Sequence, residues 1–181
     1  MKRIIVLLFA FLSISQAQAQ SDKGYVGINL GVGLPIGDTN DAIENGFELG
    51  LVNLGLRFNE AFGVVFSLGE SRHNLSGISE VKAEFNYYSF GPMISIGQID
   101  FSPQYAVVNS VYEGNGEEFD IDCKGVIIGI THNFPLTPVW SFATNFDYLS
   151  FNPSKSELSD LGIGDNRSNY IKLSAGIRYL L

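Results

Sequence analysis

Apolar residues and small or polar residues trade places along this chain from about Lys23 to Leu181. The closing segment shows the pattern. Ile171, Leu173, Ala175, Ile177, Tyr179 and Leu181 share one parity, and Lys172, Ser174, Gly176 and Arg178 share the other. A strand points successive side chains to opposite faces, so a period of two predicts β-structure with one apolar face. The pattern predicts eight strands, at roughly 24–34, 46–58, 62–70, 84–97, 99–112, 120–133, 139–150 and 168–181. In the first, Val26, Ile28, Leu30, Val32 and Leu34 alternate with Gly27, Asn29, Gly31 and Gly33. In the seventh, Trp140, Phe142, Phe146 and Tyr148 alternate with Ser141, Ala143, Asn145 and Asp147. No connection is long enough for a crossover helix, so neighbouring strands should be antiparallel.

The connections alternate too. Asn59 to Ala61, Gly97-Gln98 and Asn133 to Pro138 are short, whereas Pro35 to Asn45, Glu70 to Ala83, Glu113 to Phe119 and Phe151 to Arg167 are longer and mostly acidic. Short turns at one end and long loops at the other are the asymmetry of a bacterial outer-membrane barrel, with both termini on the short-turn side. Residues 1–19 read as a signal peptide: Lys2 and Arg3, an apolar run from Ile4 to Leu12, then Ala17-Gln18-Ala19 as cleavage pattern. Residues 20–181 then form one domain. Pro92 and Pro103 fall inside predicted strands and cannot donate to a ladder, so a local irregularity, such as a bulge, is expected there. A second irregularity is expected near Leu51, where the apolar parity of the second strand switches.

Alternation alone does not say which face is inside. A soluble periplasmic barrel of the lipocalin kind would turn its apolar face inward and wear a charged coat. Here the second face is mostly Gly, Ser, Asn and Ala, which suits the crowded lumen of an eight-stranded barrel. Only 17% of residues are charged, against about 25% in soluble domains. Aromatic residues gather at both strand ends: Phe58, Phe62, Phe101, Trp140, Phe142 and Tyr179 near the short turns, Tyr88, Phe90, Phe146 and Tyr148 nearer the loops. Two such belts are what a membrane interface selects. The expected fold is therefore all-β: an antiparallel up-and-down transmembrane barrel of eight strands.

Signal peptide, four hairpins and a terminal alternating strand resemble the small outer-membrane β-barrel family of the OmpX and OmpA-barrel kind. The resemblance covers the whole chain after residue 19 and rests on pattern and length. It implies insertion by the barrel-assembly machinery, whose terminal signal would be carried by Ile177, Tyr179 and Leu181; the family usually ends in Phe, and here Leu181 keeps an apolar terminus. It also implies a monomer in contact with outer-membrane lipid and lipopolysaccharide.

Inward parity assigns five charges to the lumen. Lys172 and Asp147 should meet across the last hairpin, and Arg57 and Arg178 should point inward near the periplasmic end, with Asp100 the nearest acid. The formal charge of −8, which becomes −10 without Lys2 and Arg3, disfavours nucleic acid as a partner. The single cysteine, Cys123, excludes an intrachain disulfide and falls on the small-residue parity as a packing residue.

Candidate chemistry is sparse. Catalysis on surface lipid, as in lipid A-modifying barrels, needs a His with a Ser or acidic partner near the outer rim. His73 reads as a solvated loop residue, and His132 falls on the lipid side at the periplasmic rim. Asp38, Asp41 and Glu44, and Glu117, Glu118, Asp120 and Asp122, lack the spacing of a calcium loop. No enzyme, cofactor or specific metal site is expected. The functional expectation is a non-conducting structural or surface-interaction scaffold acting through acidic extracellular loops, with room for an extracellular protein partner. A soluble ligand binder, a lipid A-modifying enzyme and a small channel are the alternatives.

Overall fold

A computed structural model describes residues 24–37, 39, 43–75, 78–114, 117–153 and 168–181. Eight strands form a closed antiparallel barrel in sequence order: β1 Gly24–Ile36, β2 Gly46–Arg57, β3 Phe62–Leu75, β4 Ile78–Ile96, β5 Ile99–Gly114, β6 Glu117–Pro135, β7 Trp140–Pro153 and β8 Ser168–Leu180. β8 closes on β1, with Tyr25 opposite Leu180 and Ile36 opposite Asn169. The expected signal peptide lies outside the described residues, as do Asp38, Asp41 and most of the last long loop.

The strands β3 to β7 run further outward than the apolar alternation indicates. Residues expected in the loops Glu70 to Ala83 and Glu113 to Phe119 are largely strand. The reason is an inversion of polarity without a change of parity. Along β4, Tyr88 and Phe90 face outward, but above them the outward residues are Asn86 and Glu84 while Phe85 and Ala83 are buried inside. Along β6, Val126, Ile128 and Ile130 face outward, then Lys124, Asp122 and Asp120, with Cys123 and Ile121 buried inside. Along β3 the outward face turns from Phe66 and Leu68 to Glu70 and Arg72. A bilayer core needs only about 9–11 residues of tilted strand. β4 and β6 each have 19 residues and so stand well clear of it. Above the lipid the outer face meets water, and the apolar side turns to the barrel axis.

Both irregular sites have a physical form. The β2–β3 register shifts between Gly50 and Val52, which makes Leu51 a bulge and reconciles the two apolar phases of β2. The β1–β2 register shifts once as well, between Gly27 and Asn29. Pro92 and Pro103 lie opposite each other where the β4–β5 ladder lapses between the Phe90–Tyr105 and Ile94–Phe101 pairs. The register is the same on either side, so this is a gap in the ladder and not a bulge. The tight turn below it is Gly97-Gln98, with Gly97 at φ 61°, a conformation glycine adopts without strain.

Candidate functional site: the filled lumen and the extracellular rim

The lumen is built from the inward parity of all eight strands, and it has three levels. At the periplasmic end Asp100 on β5 is 2% exposed and gathers two cations. Its Oδ1 lies 3.2 Å from Arg57 Nη2 and its Oδ2 lies 3.3 Å from Arg178 Nη1. Ser95 Oγ donates to Oδ1 at 2.7 Å, and Asn133 Nδ2 donates to Oδ2 at 2.8 Å. Arg178 also donates to Asn133 Oδ1 at 2.7 Å, and its guanidinium sits 4.0 Å from the centre of the Tyr25 ring. Carboxylate and guanidinium groups are tolerated in a dry interior when paired and hydrogen-bonded in this way.

The middle level is neutral and polar, apart from one charge pair. Ser67 Oγ donates to Asn53 Oδ1, Ser89 Oγ to Gln104 Oε1 and Thr131 Oγ1 to Asn145 Oδ1, each at 2.8 Å. Lys172 Nζ lies 3.4 Å from Asp147 Oδ2, on residues directly opposite across β7 and β8. It also donates to Tyr87 Oη at 2.6 Å. Among the described residues, the cavity along this part of the axis has a volume of about 20 Å³, room for about one water.

The outer level is apolar. Ala83, Phe85, Val108, Ile121, Cys123, Leu149, Phe151 and Tyr170 pack as one buried cluster with Ile43. Phe85 and Tyr170 meet edge to face with ring centres 5.5 Å apart. Cys123 is buried in this cluster, with Sγ 3.6 Å from Ser110 Oγ. Thus the barrel is plugged above the polar levels by the inverted apolar faces of β4 to β8.

His73 corrects the sequence reading. It is not a solvated loop residue: it sits on β3, 3% exposed, with its ring against Phe85 and Tyr170. Its parity continues Gly63, Val65, Ser67, Gly69 and Ser71 inward. The outward Glu70 and Arg72 made this segment look like loop, because Arg72 pairs with Glu70 and Glu84 above the lipid. Burial lowers the imidazole pKa, against a smaller opposite pull from the Glu44 carbonyl. His132 is partly exposed and packs on Phe134 with ring centres 4.1 Å apart. The side chains of Glu117 and Glu118 lie outside the described residues. Among the described residues, no group of three or more His, Cys, Asp or Glu converges as a metal site.

The outward parity is apolar through the lipid-facing band. Ile28, Leu30, Phe66, Phe90, Ile128 and Leu173 are among the exposed large side chains. A water-soluble barrel would have the opposite arrangement. Ile177 and Tyr179 lie on this face, and Leu181 donates its backbone N–H to Gly24 O at 2.9 Å.

A family model described as outer membrane protein β-barrel domain matches residues 4–179. The chain belongs to this outer-membrane β-barrel family, and its place is the outer membrane. Among solved structures it is similar to Ail, the attachment invasion locus protein of Yersinia pestis, at 18% identity and a TM-score of 0.46, over 86% of this chain and 99% of that one. It is similar to a major outer membrane protein of Thermus thermophilus, at 12% identity and a TM-score of 0.49, over 87% and 99%. The outer membrane protein AlkL matches at 16% identity and a TM-score of 0.43, over 88% of each chain. A comparison with the curated proteins finds no match.

Proposed function

We propose that this outer-membrane barrel is a non-conducting scaffold whose work is done at its extracellular rim. The observation that carries the reading is the filled axis: a paired polar floor, a cavity of about 20 Å³ and an aromatic plug above it. Eight strands enclose just enough interior for side chains, and here large ones reach across it. With the axis filled, the solvated surface is the raised rim of β3 to β6 and the loops between strands. Outward charges there include Glu70, Arg72, Glu84, Asp120, Asp122 and Lys124. Exposed segments on a rigid scaffold are where binding usually resides.

On this reading the protein is a monomer and not an enzyme, and it needs no cofactor. Residues 1–19 direct export, and the terminal strand with Ile177, Tyr179 and Leu181 is read by the assembly machinery. Outer-membrane lipid and lipopolysaccharide surround the band, and nucleic acid is no partner. The acidic loops favour a basic protein partner or a divalent-cation bridge to anionic surface lipid over direct lipid contact. The test is to shorten all four extracellular loops to tight turns. The barrel should still insert and shift its gel mobility on boiling, while the envelope phenotype of the intact protein is lost. An unchanged phenotype would reject the rim as the working surface.

A further inference from the structure

The paired prolines of β4 and β5 stand at mid-height of the lipid-facing band. On β4 the outward side chains of the band run Tyr88, Phe90, Pro92, Ile94, Ile96, and on β5 they run Ile99, Phe101, Pro103, Tyr105, Val107. Each proline is the middle member of its run. Rungs are present at Phe90–Tyr105 above and at Ile94–Phe101 below, with none between. The far sides of both strands are intact, since Val64 pairs with Pro92 and Ile128 with Pro103. The missing N–H groups therefore face each other across the shared seam. A strand residue turns its N–H and C=O to the same side, so both proline carbonyls point into the seam as well. Consistent with this, a Cβ built on Gly91 would collide with the Pro103 carbonyl oxygen. Each carbonyl thus meets a residue with no N–H to give, in a layer where lipid offers no substitute. The other ladders cross the band unbroken or with a single-residue bulge.

On its lipid side the seam is a notch. Phe90 and Tyr105 meet above it with ring centres 6.0 Å apart, and Phe101 stands below. Only the two pyrrolidine rings lie between. Behind the seam Met93 is 1% exposed, with Sδ 3.9 Å from Tyr25 Oη. An unbranched thioether repacks more readily than a branched or aromatic side chain.

We infer that β4 and β5 part sideways at Pro92 and Pro103, and that the acyl chain of a neighbouring lipid seats in the slot against Met93. Parting at this pair breaks no hydrogen bond, because none spans it. The flanking rungs are four residues apart, about 13 Å at about 3.3 Å per residue, which exceeds the width of one acyl chain. The occupant follows from position: the notch opens on the lipid-facing band, and its walls are uncharged and apolar. The movement is lateral. The Asp100 floor and the aromatic plug stay in place, and the axis remains closed.

The experiment places folded, deuterated barrel in nanodiscs of phosphatidylcholine with protonated chains. Methionine ε-methyl labelling marks only Met1 and Met93, and alanine methyl labelling supplies Ala106 as the control. Ala106 is 0% exposed, points inward and sits on the intact rung to Ser89. The Met93 methyl should show a nuclear Overhauser contact to lipid chain methylenes, and Ala106 should show none. Pro92→Val with Pro103→Val returns two N–H donors to the seam. The new amides should then resist exchange, and the Met93–lipid contact should be lost. Gel mobility before and after boiling reports folding; if the double variant does not fold, either single change returns one donor and should weaken the contact. Three results would overturn the inference: no lipid contact at Met93 in the unaltered barrel, an equal contact at Ala106, or an unchanged contact in a folded variant whose new amides are protected.

Discussion

Arg178 and Asp100 are 78 positions apart in sequence and 3.3 Å apart in the lumen, where they are 3% and 2% exposed. Arg57 reaches the other oxygen of the same carboxylate. One acid thus compensates two guanidinium groups and ties β2, β5 and β8 together across the barrel floor. Removing the acid leaves both cations without a counter-charge, and Arg178, unlike the 27%-exposed Arg57, is buried where water barely reaches. Breaking a buried pair from one side costs roughly 3–5 kcal/mol. Asp100→Ala should therefore lower unfolding stability by about that amount, read by urea denaturation of the barrel in lipid vesicles. Asp147→Asn should cost less, because Lys172 keeps its hydrogen bond to Tyr87. Equal losses in the two variants would contradict this ranking.

Tyr87 is buried on β4 directly opposite Gly69 on β3, and Tyr25 on β1 is opposite Gly55 on β2. In each pair a Cβ on the glycine would collide with the tyrosine ring. Small inward residues are thus the space into which large ones lean. Gly69→Ala should cost about 1–3 kcal/mol through overpacking. In a Tyr87→Ala background the same change should cost little. A double-mutant cycle measures the coupling, and a cycle that closes to zero would show that the ring does not need the gap.

The barrel and its orientation are legible in the chain because alternation and turn length carry them. Ile171 to Leu181 reads as a lipid-facing strand from its parity alone. The extra-membranous halves of β4 and β6 are harder to read. There the outward residues are charged and the inward ones apolar, so the pattern inverts at Asn86/Tyr88 and at Lys124/Val126. A reading that follows one apolar face ends the strand where the lipid ends. Parity also puts Lys172, Asp147, Arg57, Arg178 and Asp100 on the inner face. It does not convey that Tyr87 caps Lys172 or that Ser95 and Asn133 complete the shell of Asp100, because those contacts cross the barrel between distant strands. His73 shows the same limit. Only the continued parity of β3 past two charged outward residues, Glu70 and Arg72, could have placed it inside.

His73 stands above the lipid-facing band, beyond the outward Glu70 and Arg72, and burial holds its pKa below the ordinary 6.5. The folded state therefore favours the neutral ring and binds fewer protons than the unfolded chain. The resulting stability is fully present above pH 6.5 and is lost as pH falls from there through the folded pKa. Acidification from pH 7.5 to 5 should loosen the outer ends of β2 and β3, seen as faster amide exchange there than at the periplasmic end. His73→Gln should remove the part of this pH dependence that belongs to the imidazole. An exchange pattern that is the same in both proteins across that range would assign the effect to another group.

The central claim is that the axis of this barrel is closed by its own side chains. The most direct measurement is single-channel recording from purified, folded protein in planar bilayers. A filled lumen with a cavity of about 20 Å³ predicts a silent membrane at any protein density that leaves the bilayer intact. Steady, large conductance steps from the folded protein would contradict the account.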